Sequence, residues 1–178
     1  EATNFDKVFY VTTNTFIALG GTGSGVNLLT STDSGVTWTA RTAGAAIFNG
    51  AAYGASVYVV AGASGAVYSS SDLVTWTSRS AGANTFNDVI FANSVFVAVG
   101  ASNSVYSSSD GATWTLRTAT GTFTRVIYQN SLFVAVGTSG ACYTSADGVT
   151  WTSRSAGANT FNDVIFANSV FVAVGASN

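Results

Sequence analysis

The tryptophans of this chain fall at positions 38, 76, 114 and 151, and each closes a near-copy of one short phrase. The first copy reads Ser31-Thr-Asp33-Ser-Gly35-Val-Thr37-Trp38. The others run from Ser70 to Trp76, Ser108 to Trp114 and Ser145 to Trp151. The spacing is 38, 38 and 37 residues. A period of this size restricts a chain to stacked or radial units, because one unit cannot bury its own apolar surface. It also sets a rule for polar residues. One that recurs in every unit serves the repeat, and one that breaks the pattern is the functional candidate.

Aligned on their leading aromatic, the units begin at Phe5, Phe48, Phe86, Phe123 and Phe161. Each holds short runs rich in Val, Phe, Tyr, Trp and Thr, punctuated by Asn-Ser, Gly-Ala-Ser and Asp-Gly. These are strand formers separated by turn chemistry. The chain has no proline and no sustained 3.6-residue apolar period, so the sequence predicts an all-β fold. The second run of each unit (Phe96-Val-Ala-Val, Phe133-Val-Ala-Val, Phe16-Ile-Ala-Leu) is apolar on both faces, as in a strand covered on both sides. The fourth alternates, as in Thr113-Trp114-Thr115-Leu116-Arg117, and lies nearer solvent. Four-stranded antiparallel sheets of this kind must stack, and radial stacking gives a β-propeller.

One repeat domain, 1–178, then divides into blades 5–47, 48–85, 86–122 and 123–160 and a half blade 161–178. The third and fourth strands of the fifth unit do not occur in the sequence. That is compatible with a segment of a larger array, a five-bladed ring with one thin blade, or an assembly closed through another chain. An open edge strand is a pairing liability, which favours the first and third. Residues 74–103 and 149–178 are identical over thirty positions.

The phrase Ser-x-Asp-x-Gly-x-Thr-Trp resembles the Asp-box, a turn between the third and fourth strands of blades in BNR, or sialidase-like, propellers. Residues 31–38 match it in full; the other three copies are one residue shorter, and Leu73 replaces the glycine in the second. The resemblance implies structural roles for Asp33, Gly35, Trp38, Asp72, Trp76, Asp110, Gly111, Trp114, Asp147, Gly148 and Trp151. Their chemistry agrees: Asp accepts backbone N–H bonds across a tight turn, Gly permits positive φ, and Trp anchors the turn. The resemblance also raises a glycosidase built on an arginine cluster, a tyrosine nucleophile with a glutamate partner, and an aspartic acid/base. Here the only glutamate is Glu1, outside the repeats. Arg41, Arg79, Arg117 and Arg154 occupy equivalent places and are spread around the units, leaving Arg125 and Lys7 as unrepeated cations.

The wider search for chemistry points the same way. Without histidine there is no Ser/His or Cys/His arrangement and no His-based metal site. Asp6, Asp88 and Asp163 lie outside the boxes but on different units, with no glutamate partner for acid/base work. Gly20 to Gly25 is glycine-rich yet lacks the lysine and helix of a phosphate loop, and reads as a hairpin loop. Cys142, the single cysteine, aligns with Val67 and Val105 and is expected to be a buried thiol. Six Lys and Arg against eight Asp and Glu leave no basic footprint for nucleic acid. No apolar run reaches the ~18 residues of a helical membrane span. Glu1 opens the chain with no signal-peptide pattern, so a longer precursor or a removed leader is expected.

The residues that vary are Lys7, Gly50, Asp88, Arg125 and Asp163, at one position early in the first strand. With Asn49, Asn87 and Asn162 they form a candidate ligand or channel rim. Asn84 and Asn159, in the loops that join blades, are candidates for a repeated ligand pocket. The chain is therefore expected to be non-catalytic, without metal or cofactor, in a structural or adhesive role within an extracellular or phage-like (virion-surface) assembly. Only 8% of its residues are charged, against roughly 25% in an ordinary domain, which fits such a surface. Its expected partners are copies of itself or adjoining repeats that complete the half blade. The alternatives are a multivalent glycan-binding, lectin-like propeller and a degenerate sialidase-like glycosidase.

Overall fold

The fold is given by a computed structural model that describes residues 4–20, 26–79, 81–154 and 156–176. Part of the glycine-rich stretch, 21–25, lies outside them, as does Glu1. Strands β1 (Phe5–Thr12), β2 (Thr15–Gly20), β3 (Leu28–Ser31) and β4 (Thr39–Arg41) form the first antiparallel sheet. The second is β5 (Phe48–Gly54), β6 (Val57–Gly62), β7 (Val67–Ser70) and β8 (Thr77–Ser78). The third is β9 (Phe86–Ala92), β10 (Val95–Gly100), β11 (Val105–Ser108) and β12 (Thr115–Leu116). The fourth is β13 (Phe123–Gln129), β14 (Leu132–Gly137), β15 (Cys142–Ser145) and β16 (Thr152–Ser153). A fifth sheet holds only β17 (Thr160–Ala167) and β18 (Val170–Ala176).

In four of the five hairpins joining first to second strands, the two-residue turns at Ala55-Ser56, Asn93-Ser94, Asn130-Ser131 and Asn168-Ser169 have φ positive at both residues, whereas in the first hairpin only Asn14 does. Positive φ at both residues is type I′ geometry, whose twist matches the flanking strands. At the far end of the second strand, a Cβ on Gly100 would strike the carbonyl of Thr85 and the Cα of Phe86. Only glycine lets the incoming chain cross so closely.

The core consists of layers between sheets. Ile17, Leu19 and Leu28 meet Phe48, Val60 and Leu73. Val59, Ala61 and Val67 meet Phe86, Val89 and Phe96. Val97, Val99 and Val105 meet Phe123, Val126 and Phe133. Val134 and Val136 meet Val164, Phe161 and Phe171. Each sheet thus has a leading face turned to the blade before it and a trailing face turned to the blade after it. β2, β6, β10 and β14 are largely buried, and the fourth strands are exposed.

The topology also sorts the loops. In up-and-down sheets, the blade-joining segments, the loops between second and third strands, and the starts of the first strands share one end of the molecule. The type I′ turns and the Ser-Asp turns share the other.

Candidate functional site

At the loop end, the starts of the first strands surround an opening of about 410 Å³. It is lined by Lys7, Asn49, Asn87, Asp88, Arg125, Asn162 and Asp163, among others, so the structure gathers most of the variable rim residues in one place. Below it lies a second cavity of about 270 Å³, more apolar in its walls, with Phe9, Ala52, Tyr53, Ile90 and Phe91.

A backbone irregularity aims the rim. In every blade the ladder between first and second strands shifts by one residue just after the leading Phe, leaving Asn49, Asn87, Thr124 and Asn162 as bulged residues. A bulge turns its side chain away from the ordinary alternation. The Asn49 amide donates to the carbonyl of Phe86 at 2.7 Å, and the Asn87 amide to that of Phe123 at 2.7 Å. Thr124 Oγ1 donates to the carbonyl of Phe161, also at 2.7 Å. Each is a staple from one blade to the leading Phe of the next. In the first blade the bulged residue is Asp6, whose carboxylate has no hydrogen to donate. There Lys7 Nζ donates to the carbonyl of Asn49 at 3.0 Å instead.

The charges are similarly committed. Asp88 Oδ1 accepts from its neighbour Val89 N at 3.0 Å. Its Oδ2 accepts from Val126 N of the next blade at 3.1 Å and from Arg125 Nη1 at 3.2 Å. Asp88 is buried, and burial pushes its carboxyl above the usual range against the pull of Arg125 and the two amides. Arg125 Nε lies 3.3 Å from Asp163 Oδ1, in ion-pair range without hydrogen-bond alignment. Three residues on three different blades therefore meet, a contact that reading each unit separately misses. The charge order Lys, Gly, Asp, Arg, Asp at one repeat position was the available signal.

Asn84 and Asn159 lie apart from this rim. Asn84 Nδ2 is 3.4 Å from the carbonyl of Ser102, and the Asn159 carbonyl accepts from Gly140 N at 2.7 Å. Beside these loops, equivalent clefts of about 530 and 510 Å³ open on blades two and four. Each presents a tyrosine (Tyr68, Tyr143), a fourth-strand serine (Ser78, Ser153) and the short 3-10 turn after the second strand. The amide of Thr120 donates to Tyr143 Oη at 3.1 Å and lowers the pKa of that phenol.

The Ser-Asp turns sit at the opposite end. Asp110 Oδ1 accepts from the amides of Ala112 and Thr113 at 2.8 Å, and Ser108 Oγ accepts from Gly111 N at 2.9 Å. The same pattern recurs at Asp72 and Asp147. In the longer first copy Asp33 binds the amide and hydroxyl of Thr37. These bonds hold all four carboxyls down at about 2. The glycines take positive φ at Gly35, Gly111 and Gly148. Leu73 does so too at φ 64°, with its side chain buried against the first blade, whereas a Cβ on Gly111 or Gly148 would crowd Val59 or Val95 and Val97 of the sheet before it. Trp38, Trp114 and Trp151 donate their indole N–H to Gly35, Gly111 and Gly148 carbonyls, whereas the buried N–H of Trp76 finds no acceptor among the described residues. Packing between sheets holds Trp151 tightly, whereas Trp38 stands outside the inter-sheet clusters and remains 39% exposed.

The repeated arginines hold their own blades: Arg79, Arg117 and Arg154 donate through Nε to Ser69, Ser107 and Thr144 at 2.9, 2.7 and 2.8 Å. The buried Nε of Arg41 makes no hydrogen bond among the described residues. Cys142 is half-buried rather than buried, since the two-stranded fifth sheet covers it incompletely, and that burial raises its thiol pKa.

Successive four-stranded antiparallel sheets packed face to face around a shared opening define a β-propeller protein. Residues 2–116 match the DUF6242 beta propeller domain, and the chain belongs to that family. Solved structures agree on the fold. YCF48 from Cyanidioschyzon merolae superposes with a TM-score of 0.68 at 16% identity, over 94% of this chain and 61% of that one. YCF48 is also known bound to D1 peptide, with a TM-score of 0.60 at 15% identity over 94% and 59%. The WD40 beta propeller domain of Doa1 gives 0.73 at 10% identity over 98% and 64%. The GH74 enzyme of Niastella koreensis gives 0.60 at 19% identity over 82% and 23%. This chain thus spans under two thirds of the length of those neighbours. No curated protein matches it.

Proposed function

We propose that the chain is a non-catalytic propeller module that holds a protein segment at its channel mouth, in a structural or adhesive role within an extracellular or virion-surface assembly. One observation carries this reading. The rim places charges of both signs beside an aromatic-lined cavity, and Arg125 is engaged by the carboxylates of both Asp88 and Asp163. A concave site with a few convergent polar groups beside aromatic side chains suits binding. The neighbour YCF48, bound to D1 peptide, lends support by fold analogy. We also take the Ser-Asp turns to be Asp-boxes of the BNR type that serve the blades rather than a reaction.

A glycan-binding reading ranks second. It is favoured by the equivalent clefts on blades two and four, because paired weak sites gain avidity. Peptide and glycan arrays probed with the chain separate the two. Peptide binding weakened by Lys7→Ala supports the first reading. Sugar-dependent binding lost on replacing Asn84 and Asn159 supports the second. Turnover of a sialoside would overturn both in favour of a glycosidase.

A further inference from the structure

The strands β9–β10 and β17–β18 carry the same residues, Phe86 to Ala101 repeated as Phe161 to Ala176. In the third blade the trailing face of this segment is covered by the fourth. Val97 and Val99 are fully buried against Phe123, Val126 and Phe133. In the fifth, the same trailing face is open: Val172 is 46% and Val174 59% exposed, with Val170 and Ile165 exposed beside them. The first blade leaves the opposite kind of surface uncovered. Val8 and Tyr10, the counterparts of Val126 and Tyr128, are exposed on its leading face. Packing runs from β1 through β5, β9 and β13 to β17, and the two end faces do not cover one another.

We propose that the trailing face of β17–β18 docks the leading face of the first blade of a second copy of this chain, head to tail. The internal copy specifies each contact. Asn87 donates to the Phe123 carbonyl, so Asn162 donates to that of Phe5 in the second copy. Asp88 Oδ2 accepts from Val126 N and pairs with Arg125, so Asp163 Oδ2 accepts from Val8 N and pairs with Lys7. Position by position, a lysine stands where the joint between blades three and four has its arginine. The contact is heterologous, so it propagates to a ring where the rotation closes and to a filament where it does not.

Two substitutions on side chains exposed in the single chain test this. Tyr10→Lys blocks the leading face and Val172→Lys the trailing face. Sedimentation of the wild-type chain is expected to show dimers or larger species at micromolar concentration. Each variant alone should be weakened more than tenfold in association and sediment as a monomer. An equimolar mixture should form a dimer, since each variant keeps the face the other has lost. Far-ultraviolet circular dichroism and urea midpoints of the variants verify folding. The proposal is overturned by a monomeric wild type, as a ring closed within one chain would give. It is equally overturned if Tyr10→Lys alone still dimerises, as like-to-like pairing of the half blades would, or if the mixture stays monomeric.

Discussion

Residues 86–101 and 161–176 are the same peptide in two surroundings. In the third blade it is a core element, buried from both sides. In the fifth it presents Val170, Val172 and Val174 to solvent while Val164 stays buried. Side-chain chemistry, hairpin turn and bulge are unchanged between the two, so the difference in burial belongs wholly to the neighbours. In a propeller, a core residue is defined by the next blade as much as by its own strand.

Truncating matched residues gives the strongest test of that comparison. Phe96→Ala removes a fully buried ring packed on Trp114 and Phe91, and should cost about 3–5 kcal/mol in urea unfolding. The identical change at Phe171, only partly buried, should cost about 1 kcal/mol. Equal losses would break the comparison. Next in size is the carboxylate pair. Asp88→Asn takes a buried acceptor from Arg125 and should cost about 2 kcal/mol, whereas Asp163→Asn, at an exposed ion pair, should stay within about 0.5 kcal/mol. The turns extend the contrast to the other end of the arc. Ser108→Ala leaves the buried Gly111 N–H without its acceptor and should cost about 1–2 kcal/mol. Ser31→Ala, in the less covered first copy, should cost less in the same denaturation series.

Acid gives the smallest and most graded effect. The four turn aspartates have folded pKa values depressed from 3.8 to about 2, so their contribution is complete above about 4 and is lost as pH falls through about 2. Asp88 acts in the opposite sense. Its raised pKa makes the folded state take up a proton first, so acidification from its folded value down to 3.8 adds stability. Urea midpoints measured against pH should fall below about 4, and in Asp88→Asn should lack the small gain above it.

Strand order, blade spacing and the turn were legible in the sequence because they follow from local alternation and from residues that recur. The rim was legible as a set of positions, since Lys7, Gly50, Asp88, Arg125 and Asp163 break an otherwise constant frame. Its use was hidden. That Asn49, Asn87 and Thr124 staple blades depends on a bulge, which exists only once two strands are in register. The meeting of Asp88, Arg125 and Asp163 depends on how neighbouring blades converge. The exposure of Trp38 likewise depends on packing between sheets, which its own phrase cannot encode.

Because each blade rests only on those beside it, the staples act like rungs connected in series. Hydrogen exchange in such an array is expected to be a gradient, with amides of β17 and β18 opening first and those of β10 last. The slow-exchanging centre would then mark where the arc begins to form when the chain folds.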